Sequence, residues 1–264
     1  MKDYKYVDYL WDDQKAAELN ENQLELFLYR SNLLGADLRI TNYGGGNTSC
    51  KTLEKDPLTS EEVEVMWIKG SGGDIGTLTR SGIAGLYTER LRNLKKVYRG
   101  LEDEDRMVGL FNHCIFDLES RAPSIDTPLH GLLPFPHIDH LHPDALIAIA
   151  ASKEGEKITK EIWGETMGWV DWQRPGFDLG LQLEKCLLEN PSIRGIVLGS
   201  HGLFTWGQTS LECYLNSLDV IEQASSYITE KIKKNGSVFG EEKRSALEPK
   251  KRKQKAADLM PLLR

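Results

Sequence analysis

Cysteine is scarce and scattered. The chain has four cysteines in 264 residues, Cys50, Cys114, Cys186 and Cys213, with no CxxC pair. That usage excludes a disulfide framework and reads as reduced, buried thiols of a cytoplasmic protein. No run approaches the ~18 apolar residues a spanning helix needs. The opening MKDYKYVDYLWDDQK lacks an apolar stretch behind a basic start, so no secretory signal and no membrane partner are expected. Positive charge is in deficit: 33 Lys and Arg against 40 Asp and Glu leave a net charge of -7. Such a surface repels nucleic acid and leaves room only for a local basic pocket that takes a small anion. Internal repeats, a P-loop, a dinucleotide GxGxxG fingerprint and an HExxH helix are all missing. What remains has the composition of an ordinary globular protein, and the length suffices for one large domain or two small ones.

Helical and strand signals alternate along the chain. Apolar spacing from Asn22 to Leu34 predicts an amphipathic helix, and EEVEVMWIKG (61–70) reads as a strand feeding the tight loop GSGGDIG. Thr79 is expected to cap a helix running through Leu86 and Leu91 to Tyr98, with a second helix from Arg106 to Leu118. ALIAIAAS is a short apolar element. Further helices are predicted near 153–163, over DLGLQLEKCLLEN and over 209–234. GWVDWQRPGF is aromatic and irregular, and RGIVLGSHGLFTWG reads as two apolar strands about a small-residue turn. KRSALEPKKRKQK is basic and polar and is expected to be a solvated linker. These signals predict an α/β domain over 1–235 and a basic tail over 236–264.

Three constellations carry chemistry. In His140-Leu141-His142, strand geometry puts both imidazoles on one face, roughly 6.5–7 Å apart. A third ligand must come from elsewhere, and His201 in the GSHG turn is the best placed. Three neutral histidines leave an ion its charge and an open position, as in catalytic zinc sites. Two unligated histidines are the alternative, weakened by the grouping of His137, His140 and His142 beside Asp139 and Asp144. The second constellation is a pair of glycine-rich stretches, GGGNTS (Gly44–Ser49) and KGSGGD (Lys69–Asp74). Each can turn backbone N–H groups toward an anion, and each can equally be a plain turn. The third is PSIDTPLH, where Asp126 is either a general base or the N-cap of a helix opening at Thr127-Pro128.

Taken in order and spacing, GGGNTS, KGSGGD, PSID, HLH and GSHG resemble the class II aldolase/adducin family. The longer strings ITNYGGGNTSCK, VMWIKGSGGDIGTLTR and APSIDTPLHGLLPFPHIDHLHPDA are similar to one branch, the aldolase half of bifunctional rhamnulose-1-phosphate aldolase/lactaldehyde dehydrogenases. The likeness runs from about residue 20 to 235. It implies a single domain with a mainly antiparallel sheet flanked by helices, zinc (or another divalent ion) on His140, His142 and His201, and a phosphorylated sugar as partner. Gly46 and Asn47 match the first phosphate-binding loop, Ser71 and Gly72 the second, and Ser124 the first of two phosphate-contacting serines. Ile125 stands at the second serine and cannot donate, so Lys69 is expected to substitute. Asp126 falls where the family commonly has its catalytic glutamate, one methylene longer; Glu165 and Asp144 stay open as alternative bases. A homotetramer is implied. No GxGxxG follows a strand, so a dehydrogenase half is not expected in these residues. The implied reaction is retro-aldol cleavage of L-rhamnulose 1-phosphate or a similar ketose 1-phosphate. The alternatives are a sugar-phosphate epimerase or dehydratase on the same fold and a non-catalytic, adducin-like interaction module.

Overall fold

A computed structural model describes residues 3–41, 45–236 and 245–263. Gly44 of the first glycine-rich stretch lies outside these residues. The chain divides into two compact units, Met1–Tyr227 and Ile228–Arg264.

The first unit opens with helices α1 (Asp13–Leu19) and α2 (Gln23–Ala36), each capped by a side chain, Asp12 for α1 and Asn22 for α2. Strands β1 (Asn47–Lys55), β2 (Glu62–Lys69) and β3 (Ile83–Tyr87) lead to helices α3 (Thr88–Asn93), α4 (Glu104–Leu110) and α5 (Thr127–Gly131). Then come β4 (His137–Leu141), α6 (Asp144–Ala150), α7 (Gly155–Trp163), β5 (Gly168–Val170), α8 (Phe177–Glu189), β6 (Gly195–Leu198), β7 (Gly202–Gly207) and α9 (Ser210–Asn235). The seven strands form one sheet in the order β3-β2-β1-β4-β7-β6-β5. Every pairing is antiparallel except β5 with β6. The expected α/β architecture with a mainly antiparallel sheet is the one observed.

Both faces of the sheet are covered. On one, Ile138, Phe204 and Trp206 pack against Leu179, Leu183 and Leu187 of α8, continuing into Met66, Ile68 and Leu86 against Leu91, Met107 and Phe111. On the other, Cys50, Val65 and Trp67 meet Phe27 and Leu28 of α2. Strand β4 lies at the centre and is buried along its whole length, which explains why it does not alternate polar and apolar residues.

Two expected helices are corrected. Thr79 starts no helix that runs to Tyr98: residues Ile83–Tyr87 are strand β3, paired with β2, and the helix is the short α3. Edge pairing supplies backbone partners that outweigh local helical preference. The helix expected from Arg106 to Leu118 is α4, which ends at Leu110, followed by a 3-10 turn over Phe111–Cys114. Ile115 then bridges Leu86 of β3. In the second unit, α10 (Pro249–Leu263) is helical, and none of its residues is buried.

Candidate metal centre

The end of one strand and one turn deliver three imidazoles to one point. His140 belongs to β4, and its neighbour Asp139 faces the other side of the sheet by strand alternation. His142 stands just beyond the strand. His201 occupies the β6–β7 turn, where Ser200 takes a positive φ of 54° and His201 N–H donates to the Leu198 carbonyl at 3.1 Å. Gly202 is required there: a Cβ would lie 2.6 Å from the Leu141 carbonyl and 2.9 Å from His142 Cδ2. One ligand atom from each of His140, His142 and His201 falls within 4.8 Å of the others. Phe204 stacks on the His140 ring at 4.4 Å and fixes its plane.

The donor set fits a divalent ion. His140 Nδ1 lies 3.0 Å from the Leu203 carbonyl, which selects the tautomer that leaves Nε2 as a lone-pair donor. That Nε2 is 3.1 Å from His142 Nε2, near the roughly 3.3 Å between nitrogens that tetrahedral bonds of about 2.0–2.1 Å to zinc require. Burial, then the neighbouring histidines, holds His140 well below its ordinary pKa. His142 is lowered to about 4, chiefly by burial and by His201. Burial lowers His201 as well, with Asp126 opposing. All three are therefore neutral at physiological pH, the form that ligates.

Asp126 stands beside this cluster, and its charge acts on both His142 and His201. It occupies the residue before α5, yet its side chain makes no cap hydrogen bond. The capping alternative is thus corrected. Oδ2 accepts from Asn47 Nδ2 at 3.3 Å and lies 3.5 Å from Ser124 Oγ. Asn47 Nδ2 also donates to Ser124 Oγ at 2.9 Å, while Asn47 Oδ1 is buried and without a protein partner. Gly46, with φ of +72°, runs so close to β4 that a Cβ would lie 2.7 Å from the His140 carbonyl.

The second glycine stretch continues the same wall. Lys69 ends β2, is only 3% exposed, and donates to the Gly73 carbonyl at 2.8 Å. Burial lowers its pKa, with Asp126 and Arg121 pulling in opposite directions. Gly72 takes φ of +72°, and Ser71 N–H donates to the Ala122 carbonyl at 3.1 Å. The structure therefore gathers His140, His142 and His201, with Asp126, Asn47, Ser124 and Lys69 beside them. Glu165 is exposed, paired with Lys160 at 3.3 Å, and precedes the end of β5 remote from the β6–β7 turn. Asp144 is exposed in the first turn of α6.

Behind the histidines lies a network that the sequence did not reveal. Arg30 of α2 and Asp139 of β4 are both fully buried, with Nε 3.1 Å from Oδ1. Arg30 also donates to the Ser49 carbonyl (2.8 Å), to His137 Nδ1 (2.9 Å) and to Ser210 Oγ (3.2 Å). Ser217 of α9 donates to Asp139 Oδ2 at 3.1 Å. His137 thus belongs to this network and not to the metal cluster. Helical periodicity marks Arg30 only as one polar residue among apolar neighbours. Its partners are remote in sequence, so no local signal identifies it.

The sequence pattern of the Class II Aldolase and Adducin N-terminal domain matches residues 28–228. The chain belongs to this family. A Bacillus subtilis (strain 168) relative, the uncharacterized oxidoreductase YuxG, is 41% identical over 258 residues, covering 98% of this chain but 37% of the relative. The chain therefore spans little more than a third of that relative's length. The N-terminal class II aldolase domain of a conserved Thermoplasma acidophilum protein superposes with a TM-score of 0.71 and 27% identity, over 86% of this chain and all of that one. An L-fuculose-1-phosphate aldolase from Thermus thermophilus shares the fold, with a TM-score of 0.54 and 15% identity over 83% of this chain and 99% of that one. Among the described residues, no helix is long and apolar enough to cross a membrane.

Proposed function

We propose that this family member is a zinc-dependent aldolase that cleaves a ketose 1-phosphate, L-rhamnulose 1-phosphate by preference, to dihydroxyacetone phosphate and L-lactaldehyde. The observation that carries the reading is the convergence of three neutral histidines on one point, with Asp126 beside them. The solved relative named as an L-fuculose-1-phosphate aldolase supports a phosphorylated sugar as substrate. His140, His142 and His201 would hold the zinc ion, which would supply Lewis-acid stabilisation of the negative charge that develops on the C2 oxygen. Asp126, oriented by Asn47 and Ser124, takes the C4 hydroxyl proton as the C3–C4 bond breaks and delivers it to C3. Lys69, with Gly46, Ser71, Gly72 and Ser124, holds the phosphate and so fixes the reacting carbons near Asp126. Residues 1–235 act as the aldolase domain and 236–264 as a basic tail, in a cytoplasmic homotetramer.

The test is zinc content together with a coupled assay for triose phosphate released from L-rhamnulose 1-phosphate, with and without chelator. About one zinc per chain and chelator-sensitive release are expected. Zinc without triose phosphate, but with a product of unchanged carbon count, would replace this reading by an epimerase or dehydratase.

A further inference from the structure

Arg121 belongs to no constellation identified in the sequence, and the structure lays it against the second glycine stretch. Its backbone N–H donates to the Ile83 carbonyl at 3.0 Å, anchoring it beside β3. Its side chain crosses Gly70, where a Cβ would meet Arg121 Cβ, Cγ and Cδ all at 2.8 Å. Nε donates to the Ser71 carbonyl at 2.7 Å. Nη2 lies 3.5 Å from the point where a Cβ on Gly72 would stand. A guanidinium has five N–H donors, and the other four find no protein acceptor among the described residues. The N–H groups of Gly72 and Gly73 are likewise without an internal acceptor there, on a turn whose φ of +72° at Gly72 suits a backbone nest. Lys69 is close enough for the two cations to act on each other, and neither is ion-paired among the described residues. Two unpaired cations and two open amides on one turn are complementary to a doubly charged oxyanion. Ile125, between Ser124 and Asp126, is partly exposed and offers no donor, although the resemblance implies a phosphate-contacting serine at that position.

We propose that Arg121 is a substrate-contacting specificity residue, whose guanidinium grips the dianionic phosphate ester together with Lys69 and the Gly72–Gly73 amides. It takes over the contact that Ile125 cannot make. The inference rests on the phosphate-ester reading above. A rival role is a strut that only holds the Ser71 carbonyl.

The test uses the full, zinc-loaded chain. Equilibrium binding of inorganic phosphate is measured by calorimetry, alongside kcat and KM for L-rhamnulose 1-phosphate. Zinc content and melting temperature are recorded for wild type, R121A, R121K and the double variant R121A/I125S. R121A is expected to weaken phosphate binding about 10- to 100-fold, the span for losing one hydrogen bond to a charged group. KM should rise with it while kcat and zinc content hold. R121K should fall between, and R121A/I125S should recover part of the loss. Unchanged phosphate affinity and KM in R121A, with wild type binding phosphate normally, would overturn the Arg121 assignment alone. So would a loss that tracks falling zinc content or melting temperature, the signature of a strut. A wild-type protein that binds neither phosphate nor the ester would overturn the phosphate-ester reading, and this inference with it.

Discussion

Asp126 shows how one residue's chemistry depends on where its side chain turns. Its place before Thr127-Pro128 suits a helix cap, and nothing local distinguishes a capping aspartate from a catalytic one. The structure leaves the cap unmade and turns the carboxylate toward Asn47 and Ser124, from strand β1 and the loop before α5. A carboxylate so held can move a proton without first breaking a helix contact. Asp126→Asn keeps the size of the group and removes its proton affinity. It should lower kcat about 100- to 10,000-fold, the usual contribution of general acid–base catalysis, while zinc content stays unchanged. Kinetics and metal analysis on one preparation check both halves. Arg30 is the opposite case: a buried cation with partners on β1, β4 and α9. Burying a charge is tolerable only when it is paired and hydrogen-bonded, and those partners are supplied entirely by tertiary structure.

Among the elements, β4 is legible at its end, where the HxH motif marks His140 on the strand and His142 just beyond it. Its pairing is not: Asn47 is the register partner of His140 on one side and Phe204 on the other. That register places the first glycine stretch and the GSHG turn beside the same histidine. Helix α8 is also legible, but the group that caps its start is not. Gly176 supplies no side-chain cap. Glu104, from α4, instead accepts from Phe177 N–H and Asp178 N–H, both at 2.7 Å. A Cβ on Gly176 would lie 2.2 Å from Glu104 Oε2, so this long-range cap needs glycine. Glu104→Ala leaves two backbone donors without their acceptor. It should cost roughly 2 kcal/mol, the upper range for a lost cap. For a domain of this size that is a fall in melting temperature of about 4–8 °C. Zinc content should not change, because the cap lies outside the metal cluster.

At the scale of the whole molecule, buried neutral histidines make stability depend on acid. His137 is held at about 3, by burial first and then by the Arg30 charge. The unfolded chain takes up a proton near pH 6.5 that the folded chain refuses until about pH 3. Stability is therefore full above pH 6.5 and is lost as pH falls toward 3, by about 1.4 kcal/mol per pH unit for one such group. Urea unfolding of the wild type between pH 7 and 4 should show this decline. His137→Gln keeps an acceptor for Arg30 but has no proton to gain, and should flatten the decline by about one proton's worth. An equal slope in the variant would show that His137 does not contribute. The α/β class, the HxH motif at the end of β4, the glycine stretches and the identity of the three clustered histidines are all legible without coordinates. Each is written in local spacing or in a run of motifs kept in a fixed order. Folding in three dimensions was needed to show that Asp126 leaves its helix, that Glu104 caps a helix 73 positions away, and that Arg30 and Arg121 find their partners. Those contacts join residues whose separation along the chain carries no periodic signal, and only packing brings them within hydrogen-bond reach.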